Sequence, residues 1–392
     1  ATRPDWWGIG DKYGARAYIT ILTIRALEDF SYLSLSIGKK EGLARYLEKA
    51  KKMQAALSEK LWDEESQFLI NELTAGKMDK HYYAGSLMAA AYDVVDHEKS
   101  LQLLRTAKNE MLDKHVGVRN AWPADFHLLN DIYDFKPGEV GKPYFYFNGG
   151  VWSQNNAWYA LGLIEAGLHD QARDFVSQYM TLEGIKNSPN GQPSFYEYRF
   201  TDPNSPKYGA IDKPTFLWAG GWYAHVLYRL AGARTNAWNF YFDAKLPTDF
   251  DELIYDVNIG GLRCRVSYQG VGNYFKKIIV DGKQVHSAVM IDKTKKVQLH
   301  RGRPDFPYLA TANVIVQNVQ FDQKTKRMKI EYKAVAGSER ELRIVSPFEL
   351  KMASLNNKDV GQIDVQSRGK KIFIYDYKVK SWSTTNLFEL QF

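Results

Sequence analysis

The feature that most limits how this chain can fold is a change of period near Lys245–Leu246–Pro247. Before it, apolar residues recur at helical spacing; after it, they alternate. Ile19, Leu22, Leu27, Phe30, Leu33 and Leu35 predict a helix over 14–37, closed by Gly38 as a left-handed terminal residue. Glu41–Leu61, Tyr82–Val95, His97–Met111, Val151–Gly167, His169–Met180 and Pro214–Leu230 read as further helices, several of them in antiparallel pairs. Beyond the break, Gly261–Tyr268, Phe275–Val280, Val314–Val319, Met328–Ala334, Glu341–Val345 and Lys371–Tyr377 read as strands. Turn signals separate them at Asp281–Gly282, Asp322–Gln323, Asn356–Asn357 and Arg368–Gly369. A chain of 392 residues is longer than one core supports. The expectation is therefore a multidomain α and β protein, with a helical domain over 1–240 and a β-sandwich over 247–392.

Composition narrows the function classes. Aromatics make up 14% of the chain, a surplus that suits either a core of large side chains or a cleft whose flat rings stack on sugars. The net charge of +7 is scattered, with only short clusters at 293–296 and 324–327 and no nucleic-acid motif, so no nucleic-acid partner is expected. No apolar run reaches the ~20 residues of a membrane-spanning helix, and no membrane partner is expected. The single cysteine, Cys264, rules out an internal disulfide or a Cys-based zinc site, and its alternation with Arg263 and Arg265 turns it inward on a strand. The histidines lack the paired helical spacing of a zinc site, and Gly149–Gly150 and Gly220–Gly221 match no phosphate loop. No cofactor is expected. The one place considered for a cation, Ca²⁺, is the Ala124–Pro137 loop, where Asp125, Asp131 and Asp134 gather; solvated loop acids are the alternative.

Three long connections, Asn71–His81, His115–Gly150 and Glu183–Lys213, are the length that usually carries function. Three segments hold candidate chemistry. In Arg3–Pro4–Asp5–Trp6–Trp7–Gly8, a carboxyl beside two indoles can be held protonated and serve as a general acid; the alternative is an exposed capping residue. In the segment from Phe147 to Asn156, Asn148, Trp152, Gln154 and Asn155 offer donors and acceptors suited to sugar hydroxyls, or else form an elaborate helix start. In Pro193–Tyr198, Glu197 sits among aromatics in a long loop as a candidate general base, or as an ion-paired loop residue; Tyr198 and Trp218 lie beside it in sequence or at the last helix.

Together these phrases resemble the six-hairpin glycosidases, enzymes with an (α/α)6 barrel. The likeness is nearest to the inverting trehalases, processing α-glucosidases and glycogen-debranching glucosidases. It is carried by Trp62–Asp63 with Phe68, by Asn148–Gly149–Gly150–Val151–Trp152, and by Glu197–Tyr198, Gly209–Ala210 and Trp218–Ala219, over roughly 1–233. The resemblance implies a glycoside hydrolase acting on an oligo- or polysaccharide. Glu197 would be the base that activates water, Asp5 the general acid, and Trp152 and Trp218 would line the sugar site. Trp6, Trp7, Asn148, Gln154, Asn155 and Tyr198 are the further candidate substrate-binding residues. In an inverting enzyme the two carboxyl groups should stand about 6.5–9.5 Å apart. A phosphorylase of the same architecture, in which phosphate replaces the activated water, and a non-catalytic carbohydrate-binding protein are the alternatives. A complete barrel has twelve helices and this sequence offers about seven to nine. The expectation is a C-terminal portion of a longer protein, or a chain whose barrel a second chain completes.

Overall fold

The computed structural model describes residues 5–259, 262–291, 295–360, 364–367, 372–381 and 383–392. It is a mixed helix and sheet protein whose C-terminal region is sheet-rich. Among the described residues, six helices run to ten residues or more: Ala17–Ser36, Leu43–Lys60, His97–Thr106, Ser153–Glu165, His169–Tyr179 and Gly220–Leu230. Gly38 takes φ +80°, and the amides of Gly38 and Lys39 reach back to Leu35 and Ser34, which closes the first helix as its sequence predicts.

Packing divides the chain into two compact units. One comprises residues 1–25 and 50–227, the other 26–49 and 228–392. The tip of the first helical hairpin, read from sequence with the helical region, thus groups with the sheets.

In the second unit, period-2 patterning is direct. Along Arg327–Lys333 the side chains of Met328, Ile330 and Tyr332 are buried while the residues between them are exposed. A four-stranded sheet ordered Tyr308–Ala312, Glu339–Ser346, Phe373–Lys380, Asp364–Ser367 shares a core with a five-stranded sheet ordered Ile315–Asp322, Arg327–Lys333, Thr385–Gln391, Met352–Leu355, Lys358–Asp359. A further five-stranded sheet contains Glu252–Ile259, Leu262–Gln269, Lys296–Arg301, Phe275–Val280 and Lys283–Val285. Cys264 is buried in its core, the inward placement the alternation predicts. Asp281–Gly282 and Asn356–Asn357 have positive φ at both residues, so each closes a two-residue hairpin with the twist its strands need.

In the first unit the long connections are more structured than their sequence suggests. Asn71–His81 contains a hairpin of Glu72–Thr74 with Lys77–Asp79, to which Ala15–Arg16 adds a third strand. The Tyr82–Val95 helix is cut to a 3-10 turn, Ala84–Leu87, and four helical residues, Met88–Ala91; Asp93, at φ +54°, turns the chain away. Pro214 ends a strand rather than starting a helix.

Candidate active site

A small sheet positions the candidate base, and a turn ahead of the first strand carries the candidate acid. Glu197 is not in a loop: it lies on the strand Tyr196–Arg199, the middle of a three-stranded sheet between Val151–Trp152 and Ile211–Pro214. Trp152 pairs with Tyr198, and Tyr198 with Asp212. Ser153 donates to the Tyr196 carbonyl at 3.0 Å, tying the start of the Ser153–Glu165 helix to the same strand. Arg199, fully buried, staples this strand to the loops before and after it, through the carbonyls of Pro189 (3.3 Å) and Gly209 (2.8 Å) and the Ser188 hydroxyl.

The Glu197 side chain is 13% exposed, forms an ion pair with Lys213 and lies beside the Tyr146 hydroxyl. Burial raises the Tyr146 phenol above its ordinary range, and the nearby Glu197 charge adds to this. The ion-pair alternative for Glu197 thus describes a real contact, but with a lysine that is mostly exposed and displaceable.

Asp5 is not an exposed cap. Its side chain is 2% exposed, accepts the Trp6 amide at 2.8 Å and stands 3.4 Å from Arg16. Burial pushes its carboxyl up to about 6, and the Trp6 amide, Arg16 and Lys12 only partly offset that. A carboxyl tuned this way keeps its proton close to neutral pH, as a general acid needs.

A chain of rings joins the two carboxyl groups. The Trp6 ring lies 5.6 Å from Trp152, Trp152 lies 5.0 Å from Tyr146, and Tyr146 stands next to Glu197. Phe147 and Trp158 close on Trp6 at 5.5 and 5.7 Å. Several buried polar atoms have no hydrogen-bond partner among the described residues: the indole nitrogens of Trp6, Trp152 and Trp158, the hydroxyl of Ser86, next in sequence to Gly85, and both ends of the amide of Gln154, two residues after Trp152. A polar group left unpaired in a protein interior costs about 1–3 kcal/mol.

The other predicted site residues divide. Trp7 is a core residue, stacked on Phe147 at 4.2 Å and packed on Tyr83, Phe126 and Tyr133. The Asn155 amide nitrogen is committed to Asn120 and Val118, leaving only its oxygen unpartnered. Asn148 is buried with an unpartnered oxygen. Tyr198 donates to Asp212, with its ring against Tyr146 at 5.2 Å. Trp218 lies on the Leu217–Ala219 turn, and its side chain is outside the described residues. The three loop acids considered for calcium turn to separate partners: Asp125 to His81 (2.7 Å), Asp131 to Lys77 (3.2 Å) and Asp134 to Tyr13 (2.7 Å). Burial opposes charge on His81, but Asp79 and Asp125 on either side outweigh it and hold the imidazole above its usual range.

Tyr146, Gly85, Lys12 and Arg199 are contributors that sequence reasoning missed. Gly85 shows why. A Cβ there would press on the Trp6 indole, with Cδ1 at 2.8 Å, but nothing in the run Ala84–Gly85–Ser86 advertises a ring from elsewhere. Gly85→Ala should displace Trp6 and, through it, the Asp5 turn. The expected result is a loss of about ten- to a hundredfold in kcat/KM, with a stability cost of about 1–3 kcal/mol. Unchanged kinetics would show that the placement of Trp6 does not matter.

Two carboxyl groups beside a cluster of aromatic rings and unpartnered polar atoms suit work on sugars, and the chain carries a glycoside hydrolase domain. Within that class it belongs to the mannosylglycerate hydrolase MGH1-like glycoside hydrolase domain family, whose model matches residues 3–219. Solved structures that align with the chain include the GH63 mannosylglycerate hydrolase from Thermus thermophilus, at 18% identity and TM-score 0.36 over 54% of this chain and 44% of that one. The neutral trehalase from Saccharomyces cerevisiae aligns at 15% identity and TM-score 0.36 over 55% and 38%. The Hormoconis resinae glucoamylase aligns at 12% identity and TM-score 0.36 over 96% and 66%. The chain spans about 44% of the length of the mannosylglycerate hydrolase it matches. No curated protein sequence matches it.

Proposed function

We propose that the chain carries the acid and base of an inverting hydrolase acting on α-linked mannosides or glucosides with a small polar aglycone. In this reading the helices are part of an (α/α)6 toroid and the C-terminal sheets form a β-sandwich. Asp5 protonates the departing oxygen while Glu197 takes a proton from water attacking the opposite face of the anomeric carbon. Trp6 and Trp152 hold the ring of the sugar, and Gln154 and Ser86 meet its hydroxyls. No cofactor is required: two carboxyl groups and a water molecule balance the step. The observation that carries this reading is the ring chain Trp6–Trp152–Tyr146, which ends on Asp5 at one side and Glu197 at the other. The family's description supports a mannosyl group and a glycerate aglycone as the first substrate to try.

The test is a panel of α-mannosides and α-glucosides, including 2-O-α-mannosyl-glycerate and trehalose, followed by NMR of the first-formed anomer. The expected product is the β-anomer. An α-anomer as first product would replace inversion with retention. Turnover that requires inorganic phosphate would replace hydrolysis with phosphorolysis.

A further inference from the structure

We infer that Lys12 is a positioning residue: a buried cation that holds the turn bearing Asp5 and Trp6 in its working shape by gathering the backbone carbonyls around it. The inference rests on reading Asp5 as the general acid. Lys12 is 2% exposed, unusual for a lysine. Its ammonium donates to the carbonyls of Trp7 (3.4 Å), Ile9 and Gly10 (3.3 Å), and lies 4.0 Å from the centroid of the Trp7 ring. One side chain thus collects three carbonyls from four consecutive residues and seats on the indole next to Trp6. Trp7 cannot yield easily, because its other contacts include the stacked Phe147, Tyr83 and the edges of Tyr133 and Phe126.

The far side of the turn is fixed as well. Gly10, at φ +64°, leaves no room for a Cβ beside Phe135 and the Tyr133 carbonyl, and the Asp11 amide donates to that carbonyl at 2.6 Å. The charged groups that face Lys12 are Asp5, Arg16, Glu72 and Glu139. Glu72 is itself committed: one of its oxygens accepts the amides of Tyr13 and Gly14 and the Thr74 hydroxyl. A buried ammonium held mainly by carbonyls is costly, and burial lowers Lys12 to about 8 against the pull of Asp5. A residue that serves only to fill space would cost less as methionine. The cation is what three converging carbonyl dipoles require, and without it they repel one another and the turn opens.

The test compares Lys12→Met with the wild type on two substrates of the same sugar, α-mannosyl-glycerate and α-mannosyl fluoride, or the glucosyl pair if the panel selects glucose. Fluoride leaves without a proton, so its release bypasses the general acid. A lysine acting through Asp5 should cost about tenfold or more in kcat/KM on the glycerate substrate and less than about threefold on the fluoride. Equal losses on both would overturn the inference, as would no loss on either. Asp5→Asn is run beside it: if that variant shows no such split, the acid assignment has failed rather than Lys12. The position of the turn is then read without chemistry, from the tryptophan fine structure in near-ultraviolet circular dichroism. Lys12→Met should change that signal while the far-ultraviolet spectrum stays native. An unchanged near-ultraviolet spectrum would overturn the inference by itself.

Discussion

Glu197→Gln is expected to lower kcat/KM about a thousandfold, within the hundred- to ten-thousandfold range general-base removal usually costs. The amide matches the carboxylate in shape but cannot accept a proton from water, so binding should survive while the chemical step fails. The strand Tyr196–Arg199 has partners on both sides and Arg199 stapled below it, and none of these contacts involves the Glu197 side chain. The fold should therefore be unchanged. Lys213, 59% exposed, loses its ion pair and turns to solvent. Steady-state rates beside far-ultraviolet spectra check this. A variant that keeps its rate within about tenfold would remove Glu197 from the base role.

The second large effect is expected at Asp5. Asp5→Asn should cost about a hundred- to ten-thousandfold on substrates whose leaving group needs a proton, and far less on a glycosyl fluoride. The same substitution has a stability signature whose sign can be worked out. The folded carboxyl titrates at about 6 against an ordinary 3.8, so between those values the folded state holds a proton the unfolded state has lost. The contribution of Asp5 to stability is thus fully present below about 4 and is lost as the pH rises through about 6. Asparagine has no such dependence. The difference in unfolding free energy should move about 2–3 kcal/mol in favour of Asp5→Asn between pH 4 and pH 7, by the usual conversion of a two-unit shift. Urea denaturation of both proteins at the two pH values measures it. A flat difference would mean that the carboxyl is not held neutral by burial.

How far the sequence carried the reading depends on the range of the interaction. Where the signal is local, it was legible. Gly38 ends its helix, Asp281–Gly282 and Asn356–Asn357 turn their hairpins, and Cys264 faces a core because each is set by residues a few positions away. Glu252–Ile259 was missed because it is an edge strand with Ile254 exposed, so its alternation is blurred. Asp5 and Glu197 were legible as candidates, through their aromatic neighbours in sequence and the likeness to a glycosidase pattern. Their surroundings were not. Tyr146 meets Glu197 across some fifty residues of chain, and Gly85 lies under Trp6 from a different element. Lys12 in Ile9–Gly10–Asp11–Lys12 reads as a wet loop cation; only the closure of that loop turns three carbonyls on it.

The tip of the first hairpin bears on how such proteins can be rearranged over evolution. Leu35, Leu43 and Leu47 share a core with Trp238 and Val335, and the Glu28 carboxylate takes both the Trp238 indole at 3.0 Å and Arg340 at 3.4 Å. The strand-rich region is therefore built from two pieces of chain, one of them near the start. A gene-level crossover at the single seam near residue 230 would swap the later piece and leave the earlier one behind, its leucines unmatched to the new partner. Exchange of this region between relatives demands either co-inheritance of both pieces or compensating changes at the three leucines. By this logic the two regions are expected to travel together as one heritable block.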